Sequence, residues 1–556
     1  MSAFLKRFVA RLQRPTIKSQ WLIVVLALYF GFVLNLSYWR FIVVHLEIDS
    51  GRMALFAVSL VVGNGVLFGW SFCLTVIKPI TKWLIIPLLL VSSATNYLMW
   101  NLGVFINPDM IRNVLQTNVH EATGFITPSG CLWFFVSGIM PAALLARTRI
   151  QYQPFTRELL SRLLYIGVGL ILAAGFAAIF YKEYKAFFSK HIEARMLVNT
   201  INYVYSISRC TPAWREARRP FVWLDHNPTR LHPYPGKHYT VLIFIIGESA
   251  RAANFSLQGY ERDTNPRLAK EDIVYFKNMA SCGTGTGVSL PCIFSNRDRQ
   301  DFNVNDAKVT QNLLDLLAAS GYDILWQEND APCQNVCNRV PTEDMPSIGN
   351  PQYCHGMYCY DAVFLDGLED KLRAIHKDTV IVLHTRGSHA PYYQRYPEEF
   401  KKFTPTCDRD TADIRDCSQE AIVNAYDNTI LYTDYIISSM IDITKKFSNL
   451  GISVMYVSDH GESLGENNAY LHAWPYIIAP AEQIHVPFLL WMSETMKRDG
   501  RIDYDCLRGK TNQAFSHDNI FHSLLGLLEV QSSLYQPEKD ILRNCRTKPP
   551  PEKLSL

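Results

Sequence analysis

Five long uncharged runs occupy the first third of this chain, and they constrain its fold more than any other feature. Lys18 to Arg40 encloses 21 uncharged residues, Arg52 to Lys78 encloses 25, and Lys82 to Asp109 encloses 26. Glu121 to Arg147 encloses 25, and Arg162 to Lys182 encloses 19. A helix that crosses a bilayer needs about 20 mostly apolar residues, so each run reads as one span. The first run resembles a signal peptide in length. No A-x-A-like cleavage site follows it and four further spans do, so it reads as retained.

Basic residues orient the spans. The N-terminal tail carries Lys6, Arg7, Arg11, Arg14 and Lys18, the second loop Lys78 and Lys82, and the fourth Arg147, Arg149, Arg157 and Arg162. The other two loops offer only Arg40, Arg52 and Arg112. The positive-inside rule then places the N-terminus in the cytoplasm. An odd number of spans delivers everything after Lys182 to the other side. With a net charge of +3 over 556 residues and no obvious basic patch, nucleic-acid binding is set aside.

The cysteines agree with that topology. Ten of thirteen lie at or beyond Cys282. Cys282/Cys292, Cys333/Cys337, Cys354/Cys359 and Cys407/Cys417 are closely spaced, and Cys506 and Cys545 remain. An even, locally paired set suits disulfides in an oxidising compartment. A zinc knuckle built from Cys333, Cys337, Cys354 and Cys359 is the alternative.

Residues 1–181 thus read as a five-span α-helical membrane domain and 182–236 as an interfacial helix and linker. Residues 237–548 read as a soluble domain and 549–556 as a disordered tail. Within the soluble domain, β-rich runs at Thr240–Ile246, Tyr322–Trp326, Thr379–His384, Ser453–Val457 and Val486–Met492 alternate with helical patterns. The helices are expected at Val309–Ala319, Gln419–Phe447 and Asn519–Leu528. Such alternation predicts an α/β fold with a mainly parallel central sheet, whose ligands bind beyond the carboxyl ends of the strands.

Three candidate strands run directly into polar sequence: VLIFIIGES ends at Glu248, TVIVLHTRGSH near His389, and ISVMYVSDHGES at Asp459 and His460. Carboxylate oxygens together with imidazole nitrogens suit zinc. Each alone has a plainer reading, as an acid at a helix start, a structural ion pair or a surface histidine. Their coincidence at three strand ends favours a site. The loop SCGTGTGVSLPC, residues 281–292, lacks the lysine of a nucleotide-binding P-loop. Its glycines allow close backbone approach to an anion. A threonine there becomes a competent nucleophile beside zinc, which can lower the pKa of bound water from about 15.7 to about 7. Spacing alone leaves Thr284 and Thr286 as equal candidates.

These motifs resemble the lipid A phosphoethanolamine transferases, the family that includes the mobile colistin-resistance enzymes. The soluble domain of that family looks like the alkaline phosphatase/sulfatase superfamily. The likeness spans five membrane helices, GESARAANFSLQGYERDTNPRLA, the SCGTGT…SLPC loop, GSHAPYYQRYP, YDNTILYTDY and SDHGESLGEN. It implies Thr286 as the nucleophile and Glu248, Thr286, Asp459 and His460 as ligands of one tightly held zinc. It implies His389 and His472 as binders of the phosphoryl group or of a second zinc, and as candidate proton carriers. Asn113, Thr117 and Glu121 match positions that hold the ethanolamine head group, and their spacing places them on one helix face. Gln334, in CQNVC, stands where the family often has a lysine.

The resemblance further implies a zinc-dependent phosphotransferase, acting as a monomer in the inner membrane of a Gram-negative bacterium with its catalytic domain in the periplasm. It would move phosphoethanolamine from phosphatidylethanolamine to a phosphate of lipid A through a phosphothreonine. That transfer lowers the negative charge of the outer surface and so weakens attraction of cationic peptides such as polymyxin. Other acceptors (a core sugar of lipopolysaccharide, or a protein) and a membrane-anchored phosphatase or sulfatase-like hydrolase are the alternatives. Sulfatases need C/S-x-P-x-R, which the 281–292 loop lacks. A receptor or transporter is disfavoured because the spans are nearly charge-free.

Overall fold

A computed structural model describes residues 14–116, 123–191, 193–209, 219–231, 238–330, 332–355, 358–409, 411–499 and 502–546. The chain packs as two units, residues 1–108 with 126–209 and residues 109–125 with 210–556. The expected tail, 549–556, lies outside the described residues, as do residues 192, 210–218 and 232–236 of the expected interfacial helix and linker.

The larger unit is built on an eight-stranded sheet. Its strands are β1 (Tyr239–Gly247), β2 (Ile273–Ala280), β3 (Asp323–Glu328), β4 (Thr342–Asp344), β5 (Thr379–His384), β6 (Leu450–Ser458), β7 (His485–Met492) and β8 (Ala514–Ser516). Their spatial order is β8-β2-β7-β6-β1-β5-β3-β4. All pairings are parallel except the two made by β7. The central strands β1 and β6 are buried over almost their whole length. This explains why they are continuous apolar runs rather than alternating ones. Strand β2 escaped the sequence reading because Lys277 and Asn278 interrupt its apolar run.

Helix α1 (Thr286–Ile293), α2 (Leu313–Ala319), α3 (Gln419–Thr444) and α4 (Ile520–Leu527) accompany the sheet. Helix α2 starts four residues later than its apolar pattern because Asn312 caps it in a reciprocal box with Asp315. Leu242, Phe244 and Ile246 of β1, Met455 and Val457 of β6, and Leu524 and Leu525 of α4 share one buried core.

Among the described residues of the smaller unit, five helical segments are long and apolar enough to cross a membrane: Ser19–His45, Gly51–Thr75, Thr81–Leu102, Pro128–Arg147 and Phe155–Ile179. The first breaks at a tight turn, Val33–Asn35. Backbone groups freed in an apolar medium must find partners, and asparagines supply them. Asn35 donates to the Phe30 carbonyl (2.6 Å) and accepts from the Asn199 N–H (2.7 Å), while Asn199 donates to the carbonyls of Leu34 and Ser92 (both 2.8 Å). The fifth segment exposes Leu160, Leu163, Leu164 and Ile171, a face suited to lipid.

That fifth helix begins well before the uncharged window because its charges cancel. Glu158 accepts from Arg162 (2.8 Å), the Ser19 hydroxyl (2.9 Å) and the Gln153 N–H (3.1 Å), and Arg162 also donates to the Cys73 carbonyl (2.7 Å). Breaking a buried ion pair by deleting one partner costs about 3–5 kcal/mol. With the two side chains 11% and 13% exposed, the lower end of that range applies. Glu158→Ala is therefore expected to lower the apparent Tm of the detergent-solubilised chain. A double Glu158→Leu/Arg162→Met variant should recover most of the loss, and a Tm indifferent to Glu158→Ala would refute the account.

Candidate active site

The site grows from the alignment of three parallel strands. In β1 and β6, Gly247 lies opposite Ser458, so Glu248 and Asp459 emerge side by side. On the other flank of β1, His384 at the end of β5 lies opposite Ile246 and, across β5, opposite Glu328. Strand β1 thus has a neighbour on each side that comes later in the chain, the arrangement that opens a crevice at the carboxyl end of an α/β sheet.

The turn after β1 is held rigidly. Ser249 adopts a left-handed conformation (φ 56°), a strained choice for a residue with a side chain. Tyr426 of α3 donates its hydroxyl to the Ser249 carbonyl (2.7 Å) and accepts from the Arg251 N–H (2.9 Å). Gly387 packs on the same turn, where a Cβ would lie 2.6 Å from the Glu248 carbonyl oxygen at a φ of +48°. Only glycine fits there. The Ser388 N–H donates to that carbonyl (2.9 Å), which ties the His389 loop to Glu248.

Thr286 opens α1, and its Oγ1 donates to Glu248 Oε2 (2.9 Å) and lies 3.3 Å from His460 Nε2. His460 Nε2 is in turn 3.3 Å from Glu248 Oε1 and 3.4 Å from Asp459 Oδ2. His460 Nδ1–H donates to the Gly461 carbonyl (2.8 Å), which aims Nε2 inward. Asp459 Oδ1 accepts the N–H groups of His460 (2.7 Å) and Ser249 (3.3 Å), while its Oδ2 is buried without a hydrogen-bond partner. Thr284 points elsewhere: its hydroxyl donates to the Trp474 carbonyl (2.6 Å). The four residues expected as zinc ligands therefore converge, and Thr286 rather than Thr284 faces them.

His472 borders this cluster, with its ring centre 4.4 Å from that of His460 and Nδ1 2.7 Å from Glu462 Oε2. Glu462 also accepts from the Tyr392 hydroxyl (2.8 Å). His389 lies next to His472, with ring centres 5.5 Å apart, and its Nδ1–H donates to the Ala390 carbonyl (2.7 Å). Asn113 falls in the helix Pro108–Gln116, which belongs with the sheet's unit from residue 109 onward. Thr117 and Glu121 lie outside the described residues. Gln334 is buried in a left-handed turn (φ 50°) and borders a small cavity with Pro291 of α1.

The charges of the cluster demand a cation or a proton. Burial and the charge of Glu248 raise Asp459 to about 7, and they raise Asp330 likewise. Burial opposes ionisation of Glu248 too, but His460 holds it well below the usual carboxylate range. Burial disfavours the charged form of His460, yet Asp459 and Glu248 lift its pKa to about 10. Two buried carboxylates with half-buried Asp330 beside them cannot all ionise without positive charge among them, and a metal would supply it while displacing the histidine proton. Glu248, Asp459 and His460 each offer a ligand atom within 4.8 Å of the others, and so do His460, Glu462 and His472. Oxygen and imidazole donors with one orphaned carboxylate oxygen fit a divalent cation of the zinc type.

The sequence reading missed several residues. Glu328 and His384 pair at 2.7 Å, and with Asp330 they form the far wall beyond Glu248. Both end strands that had been identified, so the strand-end rule that found Glu248 would have found them. Glu462 stands two residues beyond His460. His517 left no signal: it precedes α4, accepts from the Cys282 N–H at Nδ1 (3.1 Å) and donates from Nε2 to the Ser458 carbonyl (3.0 Å). It thereby pins the loop that leads into Thr286 to the end of β6.

Five disulfides join Cys282–Cys292, Cys333–Cys337, Cys354–Cys359, Cys407–Cys417 and Cys506–Cys545. The zinc-knuckle alternative for the second and third pairs is thereby set aside. The first disulfide brackets Thr286.

Comparison with known proteins matches residues 240–530 to the sulfatase family and residues 66–213 to the family described as phosphoethanolamine transferase EptA/EptB. The chain is 39% identical to phosphoethanolamine transferase EptA of Escherichia coli K12, with 96% of this chain and 98% of that protein covered. It is 34% identical to the phosphatidylethanolamine transferase Mcr-1 of Escherichia coli, covering 86% and 90%. Its structure superposes on the integral membrane lipooligosaccharide phosphoethanolamine transferase A from Neisseria meningitidis with a TM-score of 0.91, at 37% identity and over 96% of this chain and 100% of that one.

Burial depresses the His517 pKa to about 3. A base whose folded pKa lies below its unfolded value contributes stability above the unfolded pKa, near 6.5, and loses it as pH falls toward the folded one. Between pH 6.5 and pH 5 the loss is about 2 kcal/mol. His517→Gln, whose amide can accept from Cys282 and donate to Ser458 without titrating, is expected to flatten the acid-side fall in Tm. The difference between the two Tm-against-pH curves isolates this group, and parallel curves would rule it out.

Proposed function

The chain belongs to the lipid A phosphoethanolamine transferase family and is a multi-pass membrane protein, and from that premise we propose that Thr286 carries phosphoethanolamine from phosphatidylethanolamine to a phosphate of lipid A. One observation carries the reading: the Thr286 hydroxyl is held between Glu248 and His460, beside the unpartnered oxygen of Asp459. Glu248 accepts the hydroxyl's hydrogen bond and orients Oγ1. Thr286 is also the first residue of α1, where first-turn N–H groups lack helical acceptors. A phosphoryl group attached there meets the positive end of the helix dipole.

The reaction is two displacements. Oγ1 of Thr286 bonds to phosphorus, and the bond to the diacylglycerol oxygen breaks as that oxygen takes up a proton. An oxygen of the lipid A phosphate then bonds to the same phosphorus, and Thr286 Oγ1 departs and regains its proton. His389 and His472 border the space where both proton movements occur, with Nδ1 of each ring anchored and Nε2 available. Zinc, held by Glu248, Thr286, Asp459 and His460, would supply positive charge that favours the deprotonated hydroxyl and stabilises the phosphoryl oxygens.

The ammonium of the donor head group is assigned to Asn113, Thr117 and Glu121. Support comes from the helix Pro108–Gln116, which from residue 109 onward belongs to the same unit as the sheet, and from the negative charge of a carboxylate at Glu121. The topology is taken as N-terminus cytoplasmic and sheet periplasmic, in line with the five disulfides, and the acting form as a monomer.

The test is mass spectrometry of lipid A from a polymyxin-sensitive host expressing the intact chain, Thr286→Ala or Thr284→Ala. The intact chain should add phosphoethanolamine and raise the polymyxin concentration tolerated. Thr286→Ala should add none, a loss of at least about a thousandfold for a covalent nucleophile. Thr284→Ala should retain transfer, because its hydroxyl is engaged with the Trp474 carbonyl. Transfer that survives Thr286→Ala would refute the nucleophile, and modification confined to core sugars or protein would redirect the acceptor. Metal analysis of the purified chain should find zinc, with Asp459→Asn depleted of it.

A further inference from the structure

The smaller unit contains a second concave site that the transfer chemistry does not use. A cavity of about 730 Å³ opens at the helix ends near the start of the chain, lined by Arg14, Lys78, Lys82, Arg147 and Arg149 and, among the described residues, by no carboxylate. Its cations come from three separate stretches: Arg14 before the first span, Lys78 and Lys82 at the junction of the second and third, and Arg147 and Arg149 at the end of the fourth and just after it. The walls are built rather than fortuitous. Thr16–Lys18 pairs as a parallel strand with Arg149–Gln151, and the Arg149 N–H donates to the Pro15 carbonyl (2.7 Å). Lys82 donates to the Ala146 carbonyl (2.8 Å), and the Thr81 and Tyr152 hydroxyls are hydrogen-bonded at 2.7 Å.

A plain topological role accounts for cations on this side of the membrane. It requires only that they be present, and makes no demand that five of them surround one cavity. Like charges gathered around a shared space repel unless an anion fills it. Arginine and lysine recognise phosphate by charge-assisted hydrogen bonds. Basic pockets between the ends of membrane helices match lipid head groups, and this volume is within the usual range for a small-ligand site, about 300–1,000 Å³.

We propose that this cavity binds the phosphate of a net-anionic phospholipid of the phosphatidylglycerol or diphosphatidylglycerol class. A zwitterionic head group fits poorly, because its ammonium would enter a space with five cations and no acid. The site is therefore distinct from any that receives the phosphatidylethanolamine donor. It is independent of the transfer reaction and of which face of the membrane the N-terminus occupies, so it stands or fails separately from both.

The experiment uses the full chain in neutral detergent, with lipid retention read by native mass spectrometry and by thermal shift. Phosphatidylglycerol, diphosphatidylglycerol, phosphatidylethanolamine, phosphatidylcholine and inorganic phosphate are each titrated. The two anionic lipids should bind and raise Tm, and the two zwitterionic lipids should not compete. Arg147→Gln/Arg149→Gln, which alters two exposed side chains, should weaken phosphatidylglycerol binding about thirtyfold. If that variant does not fold, salt serves instead: retention by the unaltered chain should fall steeply between about 0.05 and 0.5 M. Equal retention of phosphatidylethanolamine, anionic-lipid binding indifferent to both the variant and salt, or stabilisation by inorganic phosphate equal to that by lipid would each overturn the assignment.

Discussion

Buried negative charge at the end of the sheet is the constraint around which the larger unit is organised. Glu248 and Asp459 are packed out of reach of water, with half-buried Asp330 beside them, and the apolar length of β1 and β6 is what removes that water. Such a cluster costs stability unless positive charge is built in. The surrounding residues each reduce that cost. His460 and His384 bring protons, Ser249 and His460 bring backbone N–H groups to Asp459, and one oxygen of Asp459 is left open. The opening is the functional feature. Complete satisfaction by protein donors would leave nothing for a cation to bind.

The same constraint explains which parts of the fold could be read from sequence. Strands β1, β5 and β6 must be buried on both faces to bring their ends into a dry crevice, so they appear as unbroken apolar runs that stop abruptly at Glu248, His384 and Ser458. The edge strands carry no such demand. β2 keeps Lys277 and Asn278 within it, and β4 and β8 are three residues each, too short for any periodicity to register. The span count was legible for a related reason, since lipid permits no substitute for about 20 apolar residues. Helix starts were less legible because they follow local donors. Asn312 fixes α2, and the mutual neutralisation of Glu158 and Arg162 lets the fifth span begin inside charged sequence.

Within the site, the residues read at the ends of β1 and β6 do converge, Glu328 and His384 at two further strand ends were passed over, and residues that act through backbone contacts left no signal to read. Thr284 and Thr286 are chemically identical and two residues apart. Only the tertiary path of the 470s loop, which engages Thr284 through the Trp474 carbonyl, separates them. His517 is invisible in sequence for the same reason: it holds Cys282 and Ser458 through main-chain groups, which any sequence possesses. The disulfide Cys282–Cys292 and His517 together restrain the loop from two directions. That restraint matters because a nucleophile displaced by about 1 Å loses much of the advantage of being positioned.

Polar groups in the membrane unit follow an analogous economy with a different outcome. Asn35, Asn199, Glu158 and Arg162 each bond to backbone or side-chain partners within the unit, which makes them structural: each repairs a break in a helix or neutralises a neighbour. The five cations around the cavity near Arg14 differ, because no carboxylate answers them there. In the sheet, unanswered negative charge marks the place for a cation, and in the membrane unit unanswered positive charge marks the place for an anion. The inference is the same electrostatic one in both places. It carries weight only where the walls are independently fixed, by strand ends around Glu248 and by the Thr16–Lys18/Arg149–Gln151 pairing around the basic cavity. Charges on separate mobile segments could move apart with their backbone, whereas the strand pairing keeps the N-terminal segment and the Arg149 backbone beside one another.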